Sequence, residues 1–437
     1  MKRRILLCLL AACLGLTACQ AAGVPGQQPA PQPSDTPAPS TDAPEQVSTQ
    51  VPTELHTTEP ETTEPAPELP EIPAAQGLGF TELDNGMIAY LRANGKENES
   101  FAVSPLSLKA ALALTALGAE GETQRQILEV LGFATVEELS AWYASVLVGT
   151  ADFEGRIFGS DKSDCAYRIV NAIFHNTDCD GEFRPEYKEQ AARILAAQAS
   201  SHAAPEITEA INSWVRDQTD GMIPNLVQDA SKSASVLVNA LYLKTKWREA
   251  FGESPLSAFT TAAGEQVEKE FIQKTEKYSY YEDADCQLVI IPMQGGVNVA
   301  LVLGDGAGLA EKLTKTSVRK VHVTLPKFEV ETSLEDKQLV NYLKAAGCDR
   351  MFVDGGAEFD PMFTEGIYVD DIIQKAKVKL DENGLEAAAA TAVIMMRNTA
   401  MPNPEQPVEF TADRPFQFVI YREDEAPELL FWGQIMD

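Results

Sequence analysis

The order of its periodicities is the feature of this sequence that most constrains the fold. Segments such as "SPLSLKAALALTALGA" and "APEITEAINSWVRDQTDGMIPNLV" space apolar residues as amphipathic helices do, and Ser104, Pro105 and Gly221 supply start and stop signals. From Val236 onwards, runs such as "SVLVNALYLKTKW", "CQLVIIPM" and "VNVALVLG" have the alternating or continuous apolar character of half-buried and buried strands. Helices followed by strands predict an α+β domain.

The first eighteen residues, 1–18, have the pattern of an export signal. Lys2, Arg3 and Arg4 precede an apolar run that is too short to span the ~30 Å hydrocarbon core of a bilayer. The signal ends in "LTAC", which resembles the bacterial lipobox. We therefore expect Cys19 to be lipidated and the mature protein to be exported and held at the bacterial cell surface by this lipid anchor. The alternative is a plain secretory signal with Cys19 present by chance.

Residues 19–76 are predicted to form a disordered tether. They are rich in Pro, Thr, Ser, Glu and Gln, and no Lys or Arg occurs between Arg4 and Arg92. Such a composition offers too little apolar surface to offset the entropy of ordering. No second linker follows, so 77–437 is expected to be one domain that the tether holds away from the membrane. A Pro-rich partner-binding tail is the weaker interpretation, because no basic PxxP element is present.

The charge and the motifs of the chain exclude several classes of function. A net charge of −30 argues against nucleic acid as a partner. No GxSxG, HExxH or P-loop pattern occurs, and "GDGAGL" at 304–309 fits a turn after a strand better than a nucleotide-binding loop. No set of nucleophile, base and orienting residue is visible. We therefore expect neither enzyme activity nor a cofactor.

The metal-ligating residue types and the thiols have structural explanations. The acidic clusters at 370–371 and 423–425 are typical of solvated turns, and His322 lies on an alternating strand, so we predict no metal site. The domain cysteines form no CxxC pair and are interpreted as small buried hydrophobic residues. At most one disulfide is expected among Cys165, Cys179, Cys286 and Cys348.

An alanine run between a strand and a proline-rich loop is the least ordinary feature of the domain. "ENGLEAAAATAVIMM" (382–396) follows the alternating "QKAKVKLD" and precedes "RNTAMPNPEQP". Alanine has the best helix propensity, so a short helix is one interpretation. The preceding strand, Gly384 and the prolines that follow favour an exposed segment instead. In that segment small side chains minimise steric conflict, and Gly384 allows unusual backbone angles.

Five segments in order are together similar to the serpin family across essentially all of 77–437. They are "SFAVSPLSLKAALALTALGAEGETQRQI", "INSWVRDQTDGMIPNLV", "VLVNALYLKTKWREAF", "IIQKAKVKLDENGLEAAAATAV" and "FTADRPFQFVIYREDEAPELLFWGQIMD". The resemblance implies the serpin fold. This fold has a large central, mostly antiparallel sheet A, two smaller sheets, about eight to nine helices and an exposed reactive-centre loop, here at about 382–409.

The resemblance also implies a function. A serpin is a monomeric protein that traps a serine protease: the protease cleaves the loop and forms an acyl-enzyme, and the hinge then inserts into sheet A as a new strand. The partner would be an extracellular trypsin-like, elastase- or chymotrypsin-like, or subtilisin-like protease. The hinge residues would be Glu382, Gly384, Leu385, Glu386, Ala387, Ala388, Ala389 and Ala390.

The bond that the protease would cleave is assigned by counting along the loop. Counting seventeen positions with Glu382 as the first reaches Asn398, which Thr399 follows. The specificity pocket of a trypsin-like protease, which contains an Asp, favours the neighbouring Arg397 instead. The prediction is cleavage of Arg397–Asn398, with Met396–Arg397 and Asn398–Thr399 as alternatives.

The chain departs from the family pattern at two positions. Leu385 replaces the usual Thr or Ser and is large enough to slow insertion. Gln374 stands where relatives often have His, and it can keep the sheet-opening network because an amide both donates and accepts. The sheet-opening residues that the resemblance implies are Ser104, Ser107, Asn239, Trp247 and Gln374.

The sequence also bears on heparin binding, and it leaves two rival functions open. "TVEELSAWYASVLVG" is similar to the helix that binds heparin in some relatives, but it contains no Lys or Arg, so no heparin activation is expected. A non-inhibitory serpin-fold envelope binding protein is the rival function if Leu385 blocks insertion. The other rival is a ligand-binding or hydrolytic envelope lipoprotein.

Overall fold

The computed structural model describes residues 80–158, 164–179, 181–385, 406–423 and 428–437. The predicted signal, the tether and Cys19 lie outside these residues, as do 386–405 of the reactive-centre loop. Among the described residues, no helix is both long enough and apolar enough to cross a membrane.

Eight α-helices and fifteen strands make up the described part of the chain, which confirms the predicted α+β class. The helices are α1 (Glu82–Leu91), α2 (Pro105–Leu117), α3 (Gly121–Leu131), α4 (Val136–Phe153), α5 (Pro185–Leu195), α6 (Ala204–Gln218), α7 (Leu309–Thr314) and α8 (Gln338–Ala345). The strands are β1 (Phe101–Val103), β2 (Ala166–Asn176), β3 (Gln198–His202), β4 (Ser235–Lys246), β5 (Gly252–Thr260), β6 (Gln266–Glu282), β7 (Cys286–Pro292), β8 (Val297–Gly304), β9 (Ser317–Pro326), β10 (Phe328–Leu334), β11 (Gln374–Leu380), β12 (Gly384–Leu385), β13 (Val408–Thr411), β14 (Phe416–Arg422) and β15 (Glu428–Ile435).

Helix α2 is the central helix of the domain, and its sequence explains its bounds. The side chain of Ser104 accepts a hydrogen bond from the Ser107 amide at the N-terminus, and Pro105 occupies the first turn. All but the last of its residues are buried, so it packs on several neighbours at once. Gly118 ends the helix where the side chains of Tyr187 and Met362 leave no room for a Cβ.

A six-stranded sheet, in the order β10-β11-β12-β4-β2-β3, carries the hinge. Its pairs are antiparallel except for β2 with β3. Helix α6 covers one face, where Ile207, Ile211 and Val215 share a hydrophobic cluster with Val236 and Val238 of β4. Residues of β4 that point to the other face, such as Leu241 and Leu243, belong to the main hydrophobic core.

The remaining nine strands form one sheet rather than two separate smaller sheets. The cause is β6, which is 17 residues long and pairs with β5, β7 and β9. The run "RKVHVTLPKFEVET" also differs from a continuous strand. It breaks at Lys327, so that β9 lies in the nine-stranded sheet and β10 lies in the six-stranded sheet.

The four domain cysteines are free thiols. Cys165, Cys286 and Cys348 are buried, and Cys179 is partly exposed. Burial raises the pKa of the Cys165, Cys286 and Cys348 thiols, which keeps them protonated. The interpretation of these residues as buried hydrophobic groups is therefore confirmed for three of the four.

Candidate functional site

The first residues of the alanine-rich segment already lie within the six-stranded sheet. Gly384 and Leu385 form β12, in which Leu385 is opposite Leu380 of β11 and opposite Thr245 of β4. Leu385 is only 3% exposed and joins the main core. At Gly384 the backbone φ is +147°, and a Cβ would lie 2.2 Å from the Thr245 carbonyl oxygen. Only glycine fits this position without strain.

A tight turn connects β11 to β12. The Asp381 carboxylate accepts hydrogen bonds from the amides of Asn383 (2.7 Å) and Gly384 (3.2 Å). Trp247, directly after β4, holds the turn from the other side: its indole Nε1 donates to the Asp381 carbonyl oxygen at 2.9 Å, and its amide donates to the Asn383 carbonyl oxygen. Trp247 thus contacts the turn that leads into β12, and its role in sheet opening stays a prediction.

An ion pair ties the hinge to the break between the two sheets. Glu382 lies 2.8 Å from the ammonium group of Lys327, and both side chains are 23% exposed. Burial opposes ionisation of Glu382, but the hydrogen bond and charge of Lys327 outweigh it and lower the pKa of the carboxyl. Lys327 also faces Glu270 at 3.3 Å and Glu253 at 3.7 Å. The hydrogen bond with Glu382 is the main cause that raises the pKa of Lys327.

Beyond β12, strands β11 and β4 lie side by side without a ladder of hydrogen bonds between them in the described residues; we call this boundary the seam. A single parallel bridge, Leu237 with Ile372, joins them further along. Directly next to Leu385 a cavity of about 10 Å³ lies between the two strands. Its lining includes Met222 of the segment after α6 and Ile420 and Phe431 of the sheet behind. The cavity is therefore lined both by the two strands and by residues that pack on either face of the sheet.

The residues of the implied sheet-opening network fall into two separate sets. Gln374 accepts from the Ser104 amide at 3.0 Å and donates to the Ser104 carbonyl oxygen at 2.8 Å, while the Ser104 side chain caps α2 at Ser107. On the other side of the seam, Asn239 donates to the Asn171 side chain and to a backbone carbonyl of β2. The Gln374 amide thus links β11 to the start of α2, and its role in sheet opening stays a prediction. The described contacts of Asn239, however, run to β2.

The other residues of the implied site lie outside the described residues. These are Glu386, Ala387, Ala388, Ala389, Ala390, Met396, Arg397, Asn398 and Thr399. Sequence reasoning missed Lys327 and Asp381. Asp381 could have been found, because Asp followed two or three residues later by Gly is typical of a side-chain-stabilised turn.

Similarity to known proteins agrees with this geometry. The family model described as "Serpin (serine protease inhibitor)" matches residues 87–437. Leukocyte elastase inhibitor of Homo sapiens is 28% identical over 368 residues, which cover 76% of this chain and 91% of that protein. Leukocyte elastase inhibitor A of Mus musculus is 30% identical with the same coverage.

Solved structures show the same architecture. Serpin48, a highly specific serpin in the insect Tenebrio molitor, has a TM-score of 0.66 and 26% identity, covering 81% of this chain and 96% of its own. Human thyroxine-binding globulin has a TM-score of 0.70 at 20% identity, with coverage of 81% and 96%. The second likeness concerns the fold alone.

Proposed function

Because the chain belongs to the serpin family of serine protease inhibitors, we propose that it is a suicide inhibitor of extracellular serine proteases. The observation that carries the proposal is β12, which lies between β11 and β4, is antiparallel to both and adjoins the seam. A strand that continued from Leu385 would run along the seam between β11 and β4. The names of the leukocyte elastase inhibitors support the same function.

The proposed reaction begins as ordinary proteolysis. The serine Oγ of the protease attacks the carbonyl carbon at the cleaved bond, the peptide bond breaks, and the new amine leaves with a proton. An ester then links the protease to the N-terminal part of the loop. Insertion of the hinge carries the protease across the molecule and distorts its active site before water reaches the ester. The protein itself catalyses nothing.

The alanines suit this movement because of the register of β12. Since Leu385 faces the core, alternation along a strand would direct Ala387 and Ala389 to the core and Glu386 and Ala388 to the face under α6. Small side chains enter a packed interior without the volume conflict of larger ones. The Pro-rich residues after the loop would stay outside the sheet, because proline cannot donate to a ladder.

The proposed cleavage site is Arg397–Asn398, with Met396–Arg397 and Asn398–Thr399 as alternatives. The protein is mixed with trypsin, chymotrypsin, elastase and subtilisin in separate reactions. We expect a complex that survives denaturing electrophoresis with at least one of them, and the mass of the released C-terminal peptide identifies the bond. Cleavage by all four enzymes with no covalent complex would contradict inhibition.

Leu385 favours a second candidate, a non-inhibitory serpin-fold binding protein. It is buried with 3% exposure, so the hinge is anchored by an apolar side chain before any cleavage. If that anchor delays further insertion, the protease hydrolyses the ester first and leaves. Protease recovery after cleavage separates the candidates, because an inhibitor consumes protease whereas a binding protein is merely nicked.

We also propose that Cys19 carries the lipid that anchors the exported protein at the bacterial cell surface. The support is the lipobox-like "LTAC" followed by a tether without Lys or Arg. Metabolic labelling with a fatty acid in a bacterial host should label the wild type and leave the variant Cys19→Ser unlabelled. Equal labelling of both proteins would contradict the assignment.

A further inference from the structure

A buried group of charges joins four elements that are distant in sequence. The Lys109 ammonium of α2 lies 2.9 Å from Glu428 at the start of β15 and 3.4 Å from Asp84 of α1. None of these three side chains is more than 9% exposed. Burial opposes the charged form of Lys109, but the two carboxylates outweigh it and raise the pKa of the ammonium. The fourth element is α4, whose Trp142 donates its indole Nε1 to Glu428 at 3.2 Å.

The two elements that carry the closer ion pair, α2 and β15, are bonded to the β11 side of the seam. Helix α2 begins at Ser104, whose backbone forms two hydrogen bonds with the Gln374 side chain of β11. Strand β15 pairs with β1, and the Ala102 amide of β1 donates to the Thr332 side chain of β10 at 2.9 Å. These bonds connect α2 and β15 to β10 and β11.

Helix α4 is bonded to the opposite side of the seam. The side-chain amide of Asn171 in β2 donates to the phenol oxygen of Tyr143 in α4, and both side chains are at most 1% exposed. Strand β2 in turn forms an antiparallel ladder with β4 from Ala166 to His175. Since α4, β2 and β4 are joined in this way, movement of β4 away from β11 should carry α4 with it.

The hydrogen bond from Trp142 to Glu428 therefore crosses the boundary that a new strand would open. Neighbouring strands lie about 4.8 Å apart, so a strand inserted between β11 and β4 would separate them by about that much more. A hydrogen bond of 3.2 Å is lost in a displacement of this size if its two partners stay with opposite sides. The Lys109–Glu428 pair lies within one side and would persist.

We propose that the Trp142–Glu428 hydrogen bond is a latch that holds α4 to β15 and opposes strand insertion. The inference rests on the proposed function and deepens it, because it places a restraint on insertion outside the hinge. Trp142 and Glu428 are positioning residues, since neither touches the loop among the described residues. Lys109 orders the acceptor: the ammonium binds Oε1 of Glu428, and Oε2 faces the indole. The latch stabilises the intact form and is absent from the inserted form.

The first test compares the unfolding rates of intact and cleaved full-length protein, followed by circular dichroism at a fixed denaturant concentration. The cleaved form is cut between 391 and 405 by a protease that is not trapped. Trp142→Phe removes the Nε1 donor and keeps an aromatic ring. The lost ring volume affects both forms alike, but the intact form also loses a hydrogen bond to a buried charged group. The acceleration of unfolding should therefore be about tenfold larger in the intact form than in the cleaved form.

Trp214→Phe is the matched control. Trp214 of α6 donates its indole Nε1 to the Gln198 side chain of β3 at 3.1 Å. Both residues belong to the β4 side of the seam, because α6 packs on β4 and β3 pairs with β2. Insertion leaves this bond in place, so Trp214→Phe should change the unfolding rates of both forms by the same factor. If Trp142→Phe does the same, its bond is merely structural and the latch is overturned.

A second measurement observes the latch in the wild-type protein. The indole N–H resonances of the four tryptophans are recorded from protein with nitrogen-labelled tryptophan, and that of Trp142 is the one absent in Trp142→Phe. On cleavage the Trp142 resonance should move upfield, because the N–H loses its carboxylate acceptor, while the Trp214 resonance should stay in place. A Trp142 resonance that does not move on cleavage would contradict the proposal.

The outcome also separates this inference from the proposed function. If the cleaved wild-type protein gains no thermal stability, insertion does not occur, and the proposed function fails together with the latch. If the cleaved wild type becomes more stable while Trp142→Phe accelerates the unfolding of both forms equally, only the latch fails.

Discussion

At the residue scale, the Glu382–Lys327 pair makes the hinge sensitive to pH. Lys327 outweighs burial and lowers the pKa of Glu382, so the contribution of this carboxylate is complete above its ordinary value and is lost as the pH falls through the lowered value. Glu382→Gln should destabilise the intact protein by about 0.5–1 kcal/mol at neutral pH, because the pair is partly exposed.

Thermal melts at a fixed scan rate, at pH 7 and near pH 3, check this expectation. The difference between wild type and Glu382→Gln should be present at pH 7 and smaller near pH 3, because the lowered pKa is approached as the pH falls. Glu265→Gln serves as the control, since Glu265 is exposed and forms no ion pair among the described residues. A deficit of the same size at both pH values would show that ionisation of Glu382 is irrelevant.

The backbone at Gly384 leaves no room for a Cβ atom. An added Cβ would meet the Thr245 carbonyl oxygen at 2.2 Å with φ at +147°, so Gly384→Ala should expel β12 from the sheet at a cost of about 1–3 kcal/mol. Hydrogen exchange of the peptide that contains 381–385 should accelerate. Gly264→Ala is a matched control, because Gly264 has φ +82° but nothing lies within 4 Å of the added atom. Unchanged exchange in Gly384→Ala would contradict the role of the glycine.

At the element scale, side chains alternate between the two faces of a strand, so neighbouring positions of the alanine run are predicted to differ in their tolerance of a large charged residue. In a strand that continues β12, Ala389 faces the core and Ala388 faces the side of α6. Ala389→Arg should abolish protease trapping and turn the protein into a substrate, because a buried unpaired guanidinium is very costly. Ala388→Arg should impair trapping less, because position 388 of such a strand would lie on the opposite face, away from the main core.

The number of inhibitor molecules consumed per protease inactivated distinguishes the two variants. We expect a rise of at least about tenfold for Ala389→Arg, equivalent to about 1.4 kcal/mol in the partition between trapping and release. The neutral Ala389→Val controls for side-chain volume without charge. Equal ratios for Ala388→Arg and Ala389→Arg would show that the inserted segment does not alternate as a strand.

Elements that bury one clear face were predictable from the sequence, and others were not. Helices α2 and α6 and strands β4, β7, β8, β14 and β15 follow from apolar spacing and end signals. Strand β6 carries charged residues on both of its faces, so its length shows only in its pairing with three neighbours. Strand β12 has two residues and becomes a strand because two others flank it. The role of Lys327 depends on three carboxylates that are distant in sequence.

At the scale of the whole molecule, the proposed function requires that the intact fold is not the most stable arrangement of this chain. Among the described residues of the segment, Gly384 and Leu385 lie in the six-stranded sheet, and a cavity of about 10 Å³ adjoins Leu385. The uncut loop connects two strands in different sheets: β12 precedes it in the six-stranded sheet, and β13 follows it in the nine-stranded sheet. In the proposed function, the pairing of β13 with β9 keeps the uncut segment from running further along the seam. Stability of the intact form is therefore expected to be kinetic.

Cleavage of the loop should remove that restraint and raise the thermal midpoint. Burying even ~300 Å² of apolar surface by insertion corresponds to ~7 kcal/mol, and each kcal/mol moves the midpoint of a domain this large by ~2 °C. We expect an increase of at least ~10 °C after cleavage between 391 and 405 by a protease that is not trapped. Ala389→Arg cut at the same bond is the control and should gain little, because its strand cannot enter the core. A cut wild-type protein that melts where the intact one does would mean that the seam never takes up the loop.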